Sequence, residues 1–156
     1  YIITIIIIMN ISITLDQYNE DYVYFCDSIK NNIMDDSQFI RILYSTPIFV
    51  LNGIYISINI NHMTIEKYYN KFKCSFDVNL YKDMIERLRI IEENIIKKIN
   101  IKEKIPQFKI YDQFKNGSIK IFKENVDNKS NIFLLKIAGI WETDMYYGLT
   151  HKLIKI

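Results

Sequence analysis

Residues 133–154, FLLKIAGIWETDMYYGLTHKLI, decide how this chain is read: an apolar run ends at the only tryptophan, a short polar loop follows, and a second strand-like run closes the segment. β-branched and aromatic residues bounded by turn formers mark strands, so 133–141 and 149–154 are expected to pair as a hairpin across 142–148. Such a hairpin cannot bury its apolar face alone, and the rest of the chain must supply the cover.

Working back from it, 125–131 is polar and reads as a loop, while 108–111 and 118–122 read as short strands with the turn signal Asn116-Gly117 between them. The stretch 80–99 has apolar residues at 80, 84, 85, 88, 91, 95 and 99. That i, i+3, i+4 spacing predicts one amphipathic helix, with Asp77 or Asn79 to cap its start and Lys97-Lys98 to suit the dipole at its end. Further back, 39–44 and 48–60 are strand-like runs separated by the turn triplet Ser45-Thr46-Pro47. In the second run Ile54, Ile56, Ile58 and Ile60 share the core face, opposite Gly53, Tyr55, Ser57 and Asn59, and Gly53 marks a bulge or bend. Residues 10–15 suit a first strand; 18–36 is compatible with a loop or a short helix, and so is 61–76.

Read in order, this is a β-rich (α+β) chain, and the expectation is an OB-fold-like small barrel with one long helix between the third and fourth strands. At 156 residues one domain is expected, covering 9–156. The run YIITIIII at 1–8 precedes the first methionine, Met9, and is expected to be an upstream reading-frame extension. It lacks the basic flank of a signal peptide and falls short of the ~20 residues of a membrane helix, so no membrane partner is expected.

The formal net charge of +2 advertises no polyanionic partner, but its distribution is uneven. Residues 10–37 carry Asp16, Glu20, Asp21, Asp27, Asp35 and Asp36 against Lys30, whereas 97–136 hold ten lysines against Glu103, Asp112, Glu124 and Asp127. Arginine occurs only at 41, 87 and 89, a lysine-heavy bias that AT-rich codons produce. Cys26 and Cys74 form no CxxC pair, which implies free thiols in a reducing, intracellular compartment rather than a disulfide framework or zinc site.

There is no GxGxxG, GxxxxGK[ST], HExxH or GxSxG, so no cofactor, metal or catalytic centre is expected. The adjacent carboxylates Glu92-Glu93 and Asp35-Asp36 point to different faces and read as solvated charges. His62 and His151 read as structural. What remains is a set of aromatics, Tyr44, Phe49, Tyr55, Phe114, Phe122, Trp141, Tyr146 and Tyr147, interleaved with Lys109, Lys115, Lys120, Lys123, Lys136 and Lys152. Aromatic stacking at ~1–3 kcal/mol per base, added to phosphate neutralisation, is how single strands are held without sequence preference. The candidate nucleic-acid-binding residues are Tyr55, Lys120, Phe122, Lys136, Trp141, Tyr147 and Lys152. Lys120 and Phe122 share a strand face opposite Ile119 and Ile121. Trp141, flanked by Glu142 and Asp144, is either a stacking residue or a structural plug.

Two segments carry a resemblance: FIRILYSTPIFVLNGIYISINI at 39–60 and LLKIAGIWETDMYYGLTHKLIKI at 134–156, about 45 of the 156 residues. Their LNGIY strand and I-x-GIW-E-T-D … YGLT-x-K hairpin resemble small proteins of nucleocytoplasmic large DNA viruses, which look like podophage-type single-stranded-DNA-binding proteins of OB fold. The resemblance implies a non-enzymatic, sequence-independent single-stranded-DNA-binding protein acting in viral replication or repair, in the cytoplasm or nucleus of an infected cell. Viral replication proteins would be its partners. The podophage-type proteins end in an acidic tail with a terminal aromatic, whereas this sequence ends Lys155-Ile156, so tail-mediated docking is expected only if the acidic region Asp16 to Asp36 substitutes or the sequence is a piece of a longer chain. The alternative is a structural or assembly protein, a minor virion component that forms a homo-oligomer and ignores nucleic acid.

Overall fold

The computed structural model describes residues 12–30, 37–122 and 131–155, with Lys30 and Phe122 described by their backbone alone. In chain order the strands are β1 (Val23–Lys30), β2 (Gln38–Ser45), β3 (Val50–Leu51), β4 (Ile54–Asn59), β5 (Thr64–Tyr68), β6 (Lys71–Ser75), β7 (Ile105–Gln107), β8 (Ser118–Phe122), β9 (Ile132–Glu142) and β10 (Tyr146–Lys155). The helices are α1 (Lys82–Ile99) and α2 (Lys109–Lys115), with short 3-10 turns at Leu15–Gln17, Glu20–Tyr22 and Val78–Tyr81.

The expected hairpin is present and central: β9 and β10 pair antiparallel from Glu142↔Tyr147 to Phe133↔Lys155, with a bulge at Ala138. The other edge of β9 is shared. Its C-terminal half pairs with β2, from Gln38↔Glu142 to Arg41↔Gly139, and its N-terminal half with β4, from Ile54↔Ile137 to Asn59↔Ile132. β1 lies outside β2, and β7 runs parallel to β10 at the opposite edge. A second antiparallel sheet follows the order β5-β6-β8.

The run at 48–60 is one strand bent in the middle, as Gly53 suggested. β3 pairs with β2, β4 pairs with β9, and Gly53 stands between them at φ 125°, a conformation L side chains rarely adopt. A Cβ there would also come within 3.0 Å of the Ile137 carbonyl oxygen. Ile54, Ile56, Ile58 and Ile60 are all buried, as their alternation required.

Helix α1 turns Ile85, Leu88, Ile91, Ile95 and Ile96 into the core, and Asp77 caps the preceding 3-10 turn by accepting from the Asn79 N–H at 2.9 Å. Asn100 ends the helix in the left-handed region, φ 45°, its N–H bonded to the Ile96 carbonyl. Inward residues of both sheets and of both helices meet in one hydrophobic cluster.

Five expectations need correction. Among the described residues the strands form two open sheets rather than a closed barrel, because β1 and β7 end the first sheet without meeting. The long helix follows six strands among the described residues, since 61–76 folds as the β5–β6 hairpin, its alternation hidden by side chains that are exposed along the whole of β5. Among the described residues of the expected first strand, Ile13 makes a single parallel bridge to Ile56, and the first full strand among the described residues is β1, inside the stretch 18–36. Residues 108–111 open helix α2 instead of a strand, because Ile110 and Phe114, one helical turn apart, both enter the core. Finally, Glu92 is buried. Its carboxylate accepts from the Ile110 N–H at 3.0 Å and the Tyr111 N–H at 2.8 Å, capping α2 from another helix, while Glu93 stays exposed beside Arg89. Residues 1–8 and Asp35-Asp36 lie outside the described residues.

Candidate nucleic-acid interface

Alternation along β9 sends Phe133, Leu135, Ile137 and, beyond the bulge, Ile140 inward, leaving Lys136, Gly139 and Trp141 on the other face. Register then fixes their neighbours. Lys136 lies directly between Tyr55 on β4 and Lys152 on β10. Its ammonium stands 5.5 Å from the centroid of the Tyr55 ring, a cation–π distance. Gly139 lies between Arg41 and Thr150, and Trp141 between Phe39 and Gly148. Four strand positions separate the first row from the last after the bulge, so the face extends ~14 Å along β9.

Two glycines shape it. A Cβ at Gly139 would meet Phe39 Cζ at 2.5 Å, and one at Gly148 would meet Trp141 Cζ2 at 2.9 Å. Each glycine therefore leaves room for an aromatic ring of the neighbouring strand. With Gly148 beneath it, the Trp141 indole reaches Lys109 at the start of α2, whose ammonium stands 4.5 Å from the ring centroid. Glu142, the acid that follows Trp141, is held by Lys104 at 2.6 Å, which offsets its repulsion of a nearby anion.

Of the residues singled out in the sequence, Tyr55, Lys136, Lys152 and Trp141 thus share one face. Three do not join it. Tyr147 is 5% exposed and belongs to the core, because it pairs with Glu142 on the inward side of the hairpin. Lys120 is exposed on β8 in the other sheet, opposite Lys73. Phe122 follows on β8 opposite Lys71, and its side chain lies outside the description. Tyr44 and Phe114, from the wider aromatic set, are core residues. Phe39 and Arg41 are additions; their alternation with buried Ile40 and Ile42 was the available signal.

His151 is half-buried and bonded to Gln113 Oε1 at 3.2 Å, and burial pushes its pKa below the usual histidine value. Cys26 and Cys74 are unpaired, and burial raises the Cys74 thiol. Among the described residues no group of three or more His, Cys, Asp or Glu could hold a metal ion, and no helix is long and apolar enough to cross a membrane. Comparison of the chain with protein-family models, with curated proteins and with solved structures finds no significant match.

Proposed function

We propose that this protein binds single-stranded nucleic acid, DNA in the first instance, without sequence preference and without catalysis. The observation that carries the reading is the row Tyr55–Lys136–Lys152. Like charges directly opposite on neighbouring strands destabilise a sheet, yet here two lysines face each other beside an aromatic ring. A polyanion removes that repulsion by neutralising both ammonium groups. Trp141 on β9 and Phe39 beside it on β2 offer further rings on the same face, and Arg41 and Lys109 further cations, so bases could stack on one line while the phosphates meet the other. An OB-like use of the sheet is part of the proposal: the strand bent at Gly53 changes partner from β2 to β9, the kind of corner that small barrels use to curve a binding face.

The test is a titration of oligothymidylate, followed by Trp141 fluorescence and by anisotropy of a labelled strand, at several salt concentrations. Each phosphate neutralised contributes about 0.7 to the slope of log affinity against log salt, so Lys136, Lys152 and Arg41 together predict a slope of about −2. Unquenched tryptophan with no salt-sensitive affinity would remove this reading.

One feature favours self-association as a second reading. β1 is an eight-residue edge strand paired only with β2 among the described residues, and it exposes Tyr24 and Ile29. Sedimentation at rising concentration tests it; a monomer throughout would exclude it.

A further inference from the structure

The second sheet also sets two lysines opposite each other. Cys74 and Ile119, and likewise Phe72 and Ile121, pair on its inward face, with Cys74, Ile119 and Ile121 in the core. Alternation therefore places Lys71, Lys73 and Lys120 outward, and Lys73 and Lys120 stand directly opposite each other. Glu66 on β5 is the one acid in that row. Next to these lysines the β5–β6 hairpin ends in Tyr68 and Tyr69, whose rings meet edge to face at 4.9 Å while remaining 64% and 84% exposed. Tyr69 occupies φ 54°, a left-handed position that glycine or asparagine fills at lower cost. Folding explains neither the tyrosine at the turn nor Lys120, which has Lys73 rather than an acid across from it, whereas Lys73 also faces Glu66.

We infer that the outer face of β5–β6–β8 is a second contact for single-stranded nucleic acid, distinct from the Tyr55–Lys136–Lys152 face, so that one chain engages two strand segments. The inference deepens the proposed function and rests on it for the two-segment count. The chemistry selects the occupant: opposed lysines suit a phosphate backbone, and two adjacent exposed phenol rings suit unstacked bases. A lipid surface would use the lysines but would leave the edge-to-face ring pair without a stacking partner.

Lys73 and Lys120 are exposed, so Lys73→Glu/Lys120→Glu leaves the core untouched. Labelled oligothymidylate of about eight nucleotides, near the middle of the range one small domain occludes, is titrated at low salt with anisotropy and Trp141 fluorescence read together. Wild type is expected to saturate at two strands per chain, and the Lys73→Glu/Lys120→Glu variant at one, with unchanged Trp141 quenching. Lys136→Glu/Lys152→Glu should lose the quenching and keep one strand, through β5–β6–β8. Saturation of wild type at one strand with full quenching would overturn the second contact. So would a count of two in the Lys73→Glu/Lys120→Glu variant, or loss of that variant's binding to anionic phosphatidylserine vesicles with no loss of oligonucleotide. If instead Trp141 stays unquenched while reversal of Lys73 and Lys120 abolishes all binding, the first face fails and the second stands.

Discussion

Raising the pH from about 4.5 to about 7.5 is expected to lower the stability of this fold by about 3 kcal/mol through Glu92 alone. The side chain has no solvent exposure, and burial, outweighing the two N–H donors from Ile110 and Tyr111, raises its pKa from 4.5 to about 7; Asp112 and Glu93 nearby push the same way. Below pH 4.5 the carboxyl is protonated in both folded and unfolded chains, and the contribution is fully present. Between 4.5 and 7 the unfolded chain ionises first, so stability declines by up to about 1.4 kcal/mol per pH unit until the folded form also ionises. At an m-value of ~2 kcal/mol/M the urea midpoint should fall by ~1.5 M across this window.

His151 acts with the opposite sign. Its folded-state pKa lies below 6.5, so the unfolded chain gains the proton first on acidification, and its contribution is lost as pH falls through that region. The raw profile sums both groups, and the Glu92→Gln variant separates them. Glutamine keeps one acceptor for the α2 N–H groups and turns an NH₂ toward the other, a cost of about 1–2 kcal/mol at every pH. The variant should therefore be less stable than wild type near pH 5 and more stable above pH 7. Parallel urea-midpoint profiles for the two proteins would refute the reasoning.

Three further perturbations test the fold and the face. Lys152→Glu converts a like-charge cross-strand pair with Lys136 into an opposite-charge one, so urea unfolding should show a gain of about 0.2–1 kcal/mol while oligothymidylate affinity falls. Gly139→Ala drives a methyl into the Phe39 ring and the Ile40 carbonyl and should cost about 1–3 kcal/mol of overpacking, measured by thermal unfolding. Phe114→Ala empties a fully buried site under α2 and should cost about 3–5 kcal/mol, measured by urea unfolding.

Local patterns were legible wherever one residue's neighbours in sequence determine its environment. The closing hairpin, the isoleucine face of β4, the bend at Gly53 and the stripe of α1 each follow from spacing within a single element. Helix α2 was misread because its decisive contact is not local: the residues 108–111 look strand-like until Glu92, eighteen residues away, supplies the cap for Ile110 and Tyr111. Glu92 itself looked solvated because a carboxylate in sequence does not reveal that two backbone donors await it. The β5–β6 hairpin escaped for the converse reason, since a strand exposed on both faces shows no period of two.

The candidate site is a property of register, which explains both what the sequence revealed and what it withheld. Tyr55, Lys136 and Lys152 could each be suspected by residue type, but that they form one row depends on how β4, β9 and β10 align, and a shift of one residue would send every one of them to the opposite face. The same dependence removed Tyr147, which differs from its exposed neighbour Tyr146 only in strand parity. It also moved Lys120 to another sheet, where the partner across the strand is again a lysine. Lys73 also faces Glu66 on its other side, and Lys136 faces Tyr55, so the repulsion in each row is confined to the one lysine–lysine step. If the two opposed pairs exist to meet phosphate, then relieving either one by Lys152→Glu or Lys120→Glu must stabilise the free protein and weaken the complex at once, and a reversal that weakens both would mean that the lysines serve the fold.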